Sequence, residues 1–205
     1  MNRRGAKLRG VRIGVAHHLG WAVVVTAGDD HRVLDRRRVE LVDEGLPNAP
    51  IHHVGGPWEL HRDGPSPTDA ELAALVAEVR ASVVRGTAAA LDEVVAVIGA
   101  PVASISVATW PDDFPTDLAT LRRVPYESRA DPVMYRRVLA EVAGERGWPI
   151  HRYDPKRAEA EASAVLGDRA HEVLHGPRGV LGPPWGKDHR IALAATVLAS
   201  GDAPA

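Results

Sequence analysis

The segment VRIGVAHHLGWAVVV, Val11 to Val25, decides how the rest of the chain is read. Two β-prone apolar runs, Val11–Ala16 and Trp21–Val25, flank a short polar centre, His17-His18-Leu19-Gly20. Runs of this kind joined by a few residues predict strand, tight connection, strand. Successive side chains in a strand point to opposite faces, so at most one of His17 and His18 lines a given site while strand geometry persists.

Downstream, AGDD provides a turn at Gly28, and HRVLDRRRVELVD places Val33, Val39 and Leu41 on one set of positions and charge on the other. The three runs together predict an antiparallel meander. Its Arg36-Arg37-Arg38 run reads as a solvated edge face, with phosphate contact the lesser alternative. Residues 44–67, EGLPNAPIHHVGGPWELHRDGPSP, keep no periodicity and predict a long Pro/Gly/His-rich insertion loop, functional or loosely ordered.

Helices then dominate. SPTDAELAALVAEVRASVV opens with the capping box Thr68-x-x-Glu71 and carries Leu72, Leu75, Val76, Val79 and Val83 at helical spacing. Gly86 predicts a break before TAAALDEVVAVIGA. VASISVATW, Val102 to Trp110, reads as a strand buried on both faces. DPVMYRRVLAEVAGERG predicts a helix with Asp131 as N-cap, Pro132 first and Gly147 at the end, and WPIHRY a short strand. DPKRAEAEASAVLG repeats the pattern with Asp154, Pro155 and Gly167. A turn-rich stretch, HGPRGVLGPPWG, leads to a closing helix, KDHRIALAATVLA. Strands alternating with helices after an antiparallel start predict an α/β fold with a mixed sheet, organised as one domain over residues 1–205.

Composition sets the outer limits. The apolar fraction of 45% supports a real core, and a net charge of -2 gives no general pull toward nucleic acid or membrane. The absence of cysteine removes disulfides and thiolate chemistry and leaves O and N ligands for any metal. The basic start, MNRRGAKLRG, is not followed by the apolar run of a signal peptide, and no stretch reaches membrane-span length, so a cytoplasmic location is expected. Abundant Ala, and Arg in preference to Lys, suit a GC-rich bacterial genome and say nothing of function.

The order of elements resembles the ribonuclease H-like superfamily, nearest to its RuvC-type Holliday junction resolvase group. IGVAHHLGWAVV is similar to that group's first hairpin, with Gly20-Trp21-Ala22 at the start of the second strand. PIHRYDP followed by KRAEAEASAVLG is similar to its strand, proline and Lys-containing helix. WGKDHRIALAATVLA is similar to its final helix, with an acid in the first turn before an Ala/Leu run. The resemblance implies a three-stranded antiparallel meander plus two further strands, flanked by helices. It also implies two divalent cations that clamp a scissile phosphate between carboxylates at the end of the first strand, at or after the fourth, and at the start of the last helix.

Carried onto this chain, the last of these positions is Asp188. The fourth strand ends in Ala108-Thr109-Trp110, and the first acids are Asp112 and Asp113 just beyond. The first-strand position is Ala16, or His17 if the register slips by one. Alanine holds no metal, and a neutral imidazole suits Mn²⁺ or Zn²⁺ better than Mg²⁺. The resemblance therefore implies candidate catalytic residues Asp112, Asp113 and Asp188, candidate metal ligands His17, His18 and Asp188, and a divalent cation, Mg²⁺ or Mn²⁺, only if activity survives.

Other residues stand out from their setting. Arg122, Arg123 and Trp110 lie in or beside the stretch past the buried strand's end, the usual place for α/β sites, and Lys156 lies at the end of the last strand where phosphate can meet a helix N-terminus. His52, His53 and His61 share the long loop and can converge with His17 on a transition metal, or simply be loop polarity. The tryptophans at 58, 110, 148 and 185 suit cleft walls or buried element ends. Three functions stay open: a degenerate domain that binds nucleic acid or a protein partner, an active metal-dependent nuclease with a histidine-containing site, and a homodimeric interaction protein with no nucleic-acid role.

Overall fold

The computed structural model describes residues 10–57 and 65–201; Trp58 and His61 lie outside these. Three strands open the chain, β1 (Val11–His17), β2 (Trp21–Ala27) and β3 (Val33–Glu40). Helix α1 (Asp69–Ile98) leads to β4 (Val102–Ala108), then to the short α2 (Leu118–Leu121), α3 (Glu127–Glu145) and β5 (Ile150–Tyr153). Four helices close the chain: α4 (Ala158–Leu166), α5 (Ala170–His175), α6 (Pro177–Leu181) and α7 (Lys187–Leu198).

The sheet order is β3-β2-β1-β4-β5. β1 to β3 form the expected antiparallel meander, with His17 opposite Ala22 and Val23 opposite Arg38. β4 runs parallel to β1, and β5 parallel to β4, with Ala108 opposite Tyr153. This is a five-stranded mixed α/β sheet, the meander plus two further strands expected from the sequence.

Two helical layers cover the sheet. Ile13, Val15, Val24, Ile105 and Val107 face α1 and α3, whereas Ala16, Val23, Val25 and Ala108 face α4, α5 and α7. The strict alternation along β1 sorts its side chains between these two cores. Small residues let α7 lie close: a Cβ on Gly14 would be driven into the carbonyl of Ala192, and beside it the Ser106 hydroxyl donates to the Ala195 carbonyl at 3.1 Å. That seating brings the first turn of α7 to the end of β1.

The capping box at Thr68 and Glu71 forms, but α1 continues unbroken through Gly86. The glycine serves close approach rather than a break, since a Cβ there would stand 2.8 Å from the Leu41 carbonyl oxygen. Asp131 is not an N-cap. α3 starts four residues earlier, with Pro132 inside it, because the Asp131 carboxylate is taken by the long loop, accepting from the backbone N–H of Ile51 (3.1 Å) and His52 (2.8 Å). These bonds hold the start of a wide helical turn, Pro50–Gly55, so this part of the 44–67 segment is wound and seated on α3. Asp154 does not cap α4 either. Its carbonyl accepts from Arg157 and Ala158, and its carboxylate accepts from the Lys156 N–H at 2.9 Å, which uses 154–157 as a turn before the helix. The turn-rich stretch from His175 contains α6.

The arginine run on edge strand β3 is not simply solvated. Arg36 donates to the carbonyls of Leu181 (2.9 Å), Gly182 (3.0 Å) and Pro184, fixing the approach to α7. Arg37 pairs with Asp35 at 2.7 Å, and Arg38 pairs with Glu40 at 2.9 Å. Among the described residues, no helix is long and apolar enough to cross a membrane.

Candidate functional site at the end of the first strand

The β1–β2 hairpin separates its two histidines. Gly20, at φ +84°, turns the chain, and the His18 N–H donates to the Trp21 carbonyl at 2.8 Å. His17, still in strand geometry, follows Val15 toward α1 and α3. It lines a void of about 10 Å³ there with Thr87, Leu91 and Leu139. Its Nδ1 is buried without a hydrogen-bond partner. Burial first, then the charge of Arg136, holds the His17 imidazole down to about 3, so it is neutral at ordinary pH.

His18 has left the strand and swings to the other face. Its ring stacks on Trp21 with centroids 3.9 Å apart and planes 5° from parallel, and the Arg38 guanidinium lies 4.0 Å from the Trp21 centroid. His18 Nε2 meets Asp188 Oδ2 at 3.0 Å. Asp188 stands in the first turn of α7, and next to it His189 folds back so that its Nδ1 accepts from the Gly186 N–H at 3.3 Å. The structure therefore joins His18 to Asp188 and sends His17 to the opposite side of the sheet.

At the neighbouring strand ends, Thr109 receives a bond from Arg136 Nη1 to its carbonyl at 2.8 Å. Arg136 Nε is buried without a partner, and burial lowers the guanidinium's affinity for its proton. The α3 sequence YRRVLA carried no recognised signal for this cation; its placement depends on helix phase. Tyr153 runs under the α7 face and donates to the Val15 carbonyl at 2.7 Å. Arg152 holds Asp112 at 2.6 Å, donates to the Trp110 carbonyl and lies 4.4 Å from the Trp110 ring centroid. Asp113 and Lys156 are exposed.

Arg122 and Arg123 stand elsewhere, at the end of α2. Arg122 clamps the loop to α1, donating to the Gly55 carbonyl (3.1 Å), Asp69 (2.5 Å) and Ser66 (2.9 Å). Arg123 lines a cavity of about 380 Å³ with Gly55 and Gly56.

A pair of hard divalent cations needs several carboxylates converging on one point. The residues that meet at the end of β1 are one carboxylate already joined to an imidazole, an apolar Ala16, and a nearby arginine. Among the described residues no three of His, Asp and Glu are placed to share an ion. This donor set does not fit a two-Mg²⁺ centre.

Among solved structures, the chain is similar to RuvC of Thermus thermophilus in complex with a Holliday junction substrate. The identity is 16% and the TM-score 0.45, over 92% of this chain and 90% of that one. The T. thermophilus RuvC structure of a second match gives the same identity and TM-score, over 91% of each chain. No family model matches, and no curated protein matches.

Proposed function

We propose that this chain is a single ribonuclease H-like domain that binds nucleic acid at the C-terminal ends of β1, β4 and β5 and cleaves it weakly or not at all. The observation that carries the reading is the 3.0 Å contact between His18 and Asp188. It engages the one carboxylate offered by the last helix with an imidazole, at the strand end where the resemblance implies a second carboxylate. Beside it stand Arg136, with no acid partner among its hydrogen bonds, and the exposed Lys156 and Lys187, while of the acids past β4 Asp112 is paired with Arg152 and Asp113 is exposed. Cations without a metal centre suit holding phosphate, not hydrolysing it.

The test is anisotropy with labelled branched, duplex and single-stranded DNA over a salt series, alongside a cleavage assay in Mg²⁺ and Mn²⁺. Binding is expected to weaken steeply with salt. Lys156→Ala and Lys187→Ala are each expected to lower the log–log slope by about 1. No cleavage that depends on Asp188 is expected. Absence of binding at low salt overturns the reading as a whole.

The same contact favours a second reading, an active hydrolase with a histidine-containing site. A carboxylate on one imidazole nitrogen fixes the tautomer and the direction in which the other nitrogen points. Metal-dependent cleavage that vanishes in Asp188→Asn, and weakens in His18→Ala, selects this reading over the first.

A further inference from the structure

Far from the end of β1, α5 carries the pattern His171-Glu172-Val173-Leu174-His175. Residues four apart on a helix stand one above the other on the same face. Here the two imidazoles do so, with ring centroids 5.2 Å apart and planes 14° from parallel. Both side chains are exposed, and the helix is anchored beneath them by buried Val173 and Leu174. The rings line a cavity of about 650 Å³, walled by Trp185, Arg178 and Arg190. Trp185 is fixed in turn, its indole N–H donating to the Leu174 carbonyl at 2.9 Å.

We propose that His171 and His175 form a two-imidazole site for a late first-row divalent ion, with Cu²⁺ preferred to Ni²⁺ and Zn²⁺. Imidazole nitrogen suits these ions and not Mg²⁺ or Ca²⁺, and two donors on one turn of a packed helix are already held on one side. The remaining coordination positions belong to water or to a small anion. Arg178 on the same wall favours an anionic co-ligand over a second cation, while Arg190 is paired with Glu159 at 2.8 Å.

The five-residue pattern also matches the zinc hydrolase signature, in which the glutamate is the general base beside a metal held by a third protein ligand. The geometry argues against that use. Glu172 lines a different cavity, with His31 and Arg169. No third His, Asp or Glu joins His171 and His175 among the described residues. The site is one for binding an ion, not for metal-assisted hydrolysis.

The experiment titrates Cu²⁺, Ni²⁺ and Zn²⁺ into the tag-free full chain by calorimetry, with thermal unfolding and the Cu²⁺ EPR spectrum as further readouts. One ion per chain is expected, with equatorial nitrogen coupling from two imidazoles and an unfolding midpoint raised by about 3 °C or more at saturation. His171→Ala and His175→Ala are each expected to weaken binding at least about tenfold while leaving the circular dichroism spectrum unchanged, since both side chains are exposed. Binding that persists at full strength in the double variant places the ion on other histidines and overturns the proposal, as does the absence of binding at millimolar Ni²⁺. Both outcomes are independent of nucleic-acid binding.

Discussion

Gly14→Ala is expected to cost at least about 3 kcal/mol of folding free energy, read as a lowered urea midpoint. The added methyl would be forced into the carbonyl of Ala192, and its next neighbour is the Thr196 methyl at 3.1 Å. Core overpacking ordinarily costs 1–3 kcal/mol because flexible side chains move aside. Here the obstacle is helix backbone, and α7 cannot retreat without uncovering Leu193 and Val197 and breaking the bond from Ser106 to Ala195. The same retreat withdraws Asp188 from His18, so nucleic-acid affinity should change with stability. Gly144→Ala, on the open face of α3 with no atom in reach of a new Cβ, is the matched control, expected to stabilise by about 0.5–1 kcal/mol. A cost below 1 kcal/mol for Gly14→Ala would mean that α7 is not seated against β1, and the site built on that seating would fall with it.

How much of this was legible depends on whether the signal was local. The meander, the buried β4 and the acid at the start of α7 follow from periodicity and caps, and the structure contains each of them. The opposed faces of the two histidines follow from strand alternation, but which of them would meet Asp188 does not. Ala16 and Val23 face α7, so His18, two positions after Ala16, is the one on its side, and which face α7 covers is set by tertiary packing rather than by any local pattern. Asp131 looked like a helix cap because an acid before proline usually is one. Its partners lie 79 and 80 residues away, where no local rule reaches. Gly86 looked like a break for the same reason: the need for it comes from Leu41, on another segment. Arg36 has the local pattern of edge charge, and its acceptors are carbonyls of a loop about 145 residues on.

Asp131→Ala is expected to cost about 2–4 kcal/mol, because it strands two backbone N–H groups, those of Ile51 and His52, beneath a fully buried position. Hydrogen exchange should show the loss concentrated in residues 50–57 rather than in the sheet. The residue also has a pH signature of definite sign. Burial pushes its carboxyl up from 3.8 to about 6, against the opposing effect of the bonds from His52 and Ile51. Between those values the folded chain holds a proton that the unfolded chain has released, so this residue's contribution to stability falls as pH rises, by about 3 kcal/mol in all. His17 works in the opposite direction. With its imidazole held down to about 3, the unfolded chain takes up a proton first as pH falls below about 6.5, and stability is lost toward acid. The two slopes overlap, so the measurement is a difference between proteins. Asp131→Asn removes the titration while keeping one acceptor, and the stability of the variant minus that of the parent should rise between pH 4 and pH 6 and flatten above it. A difference that is level across that window would show that the carboxylate is ionised throughout, held by its two backbone donors more strongly than burial opposes it.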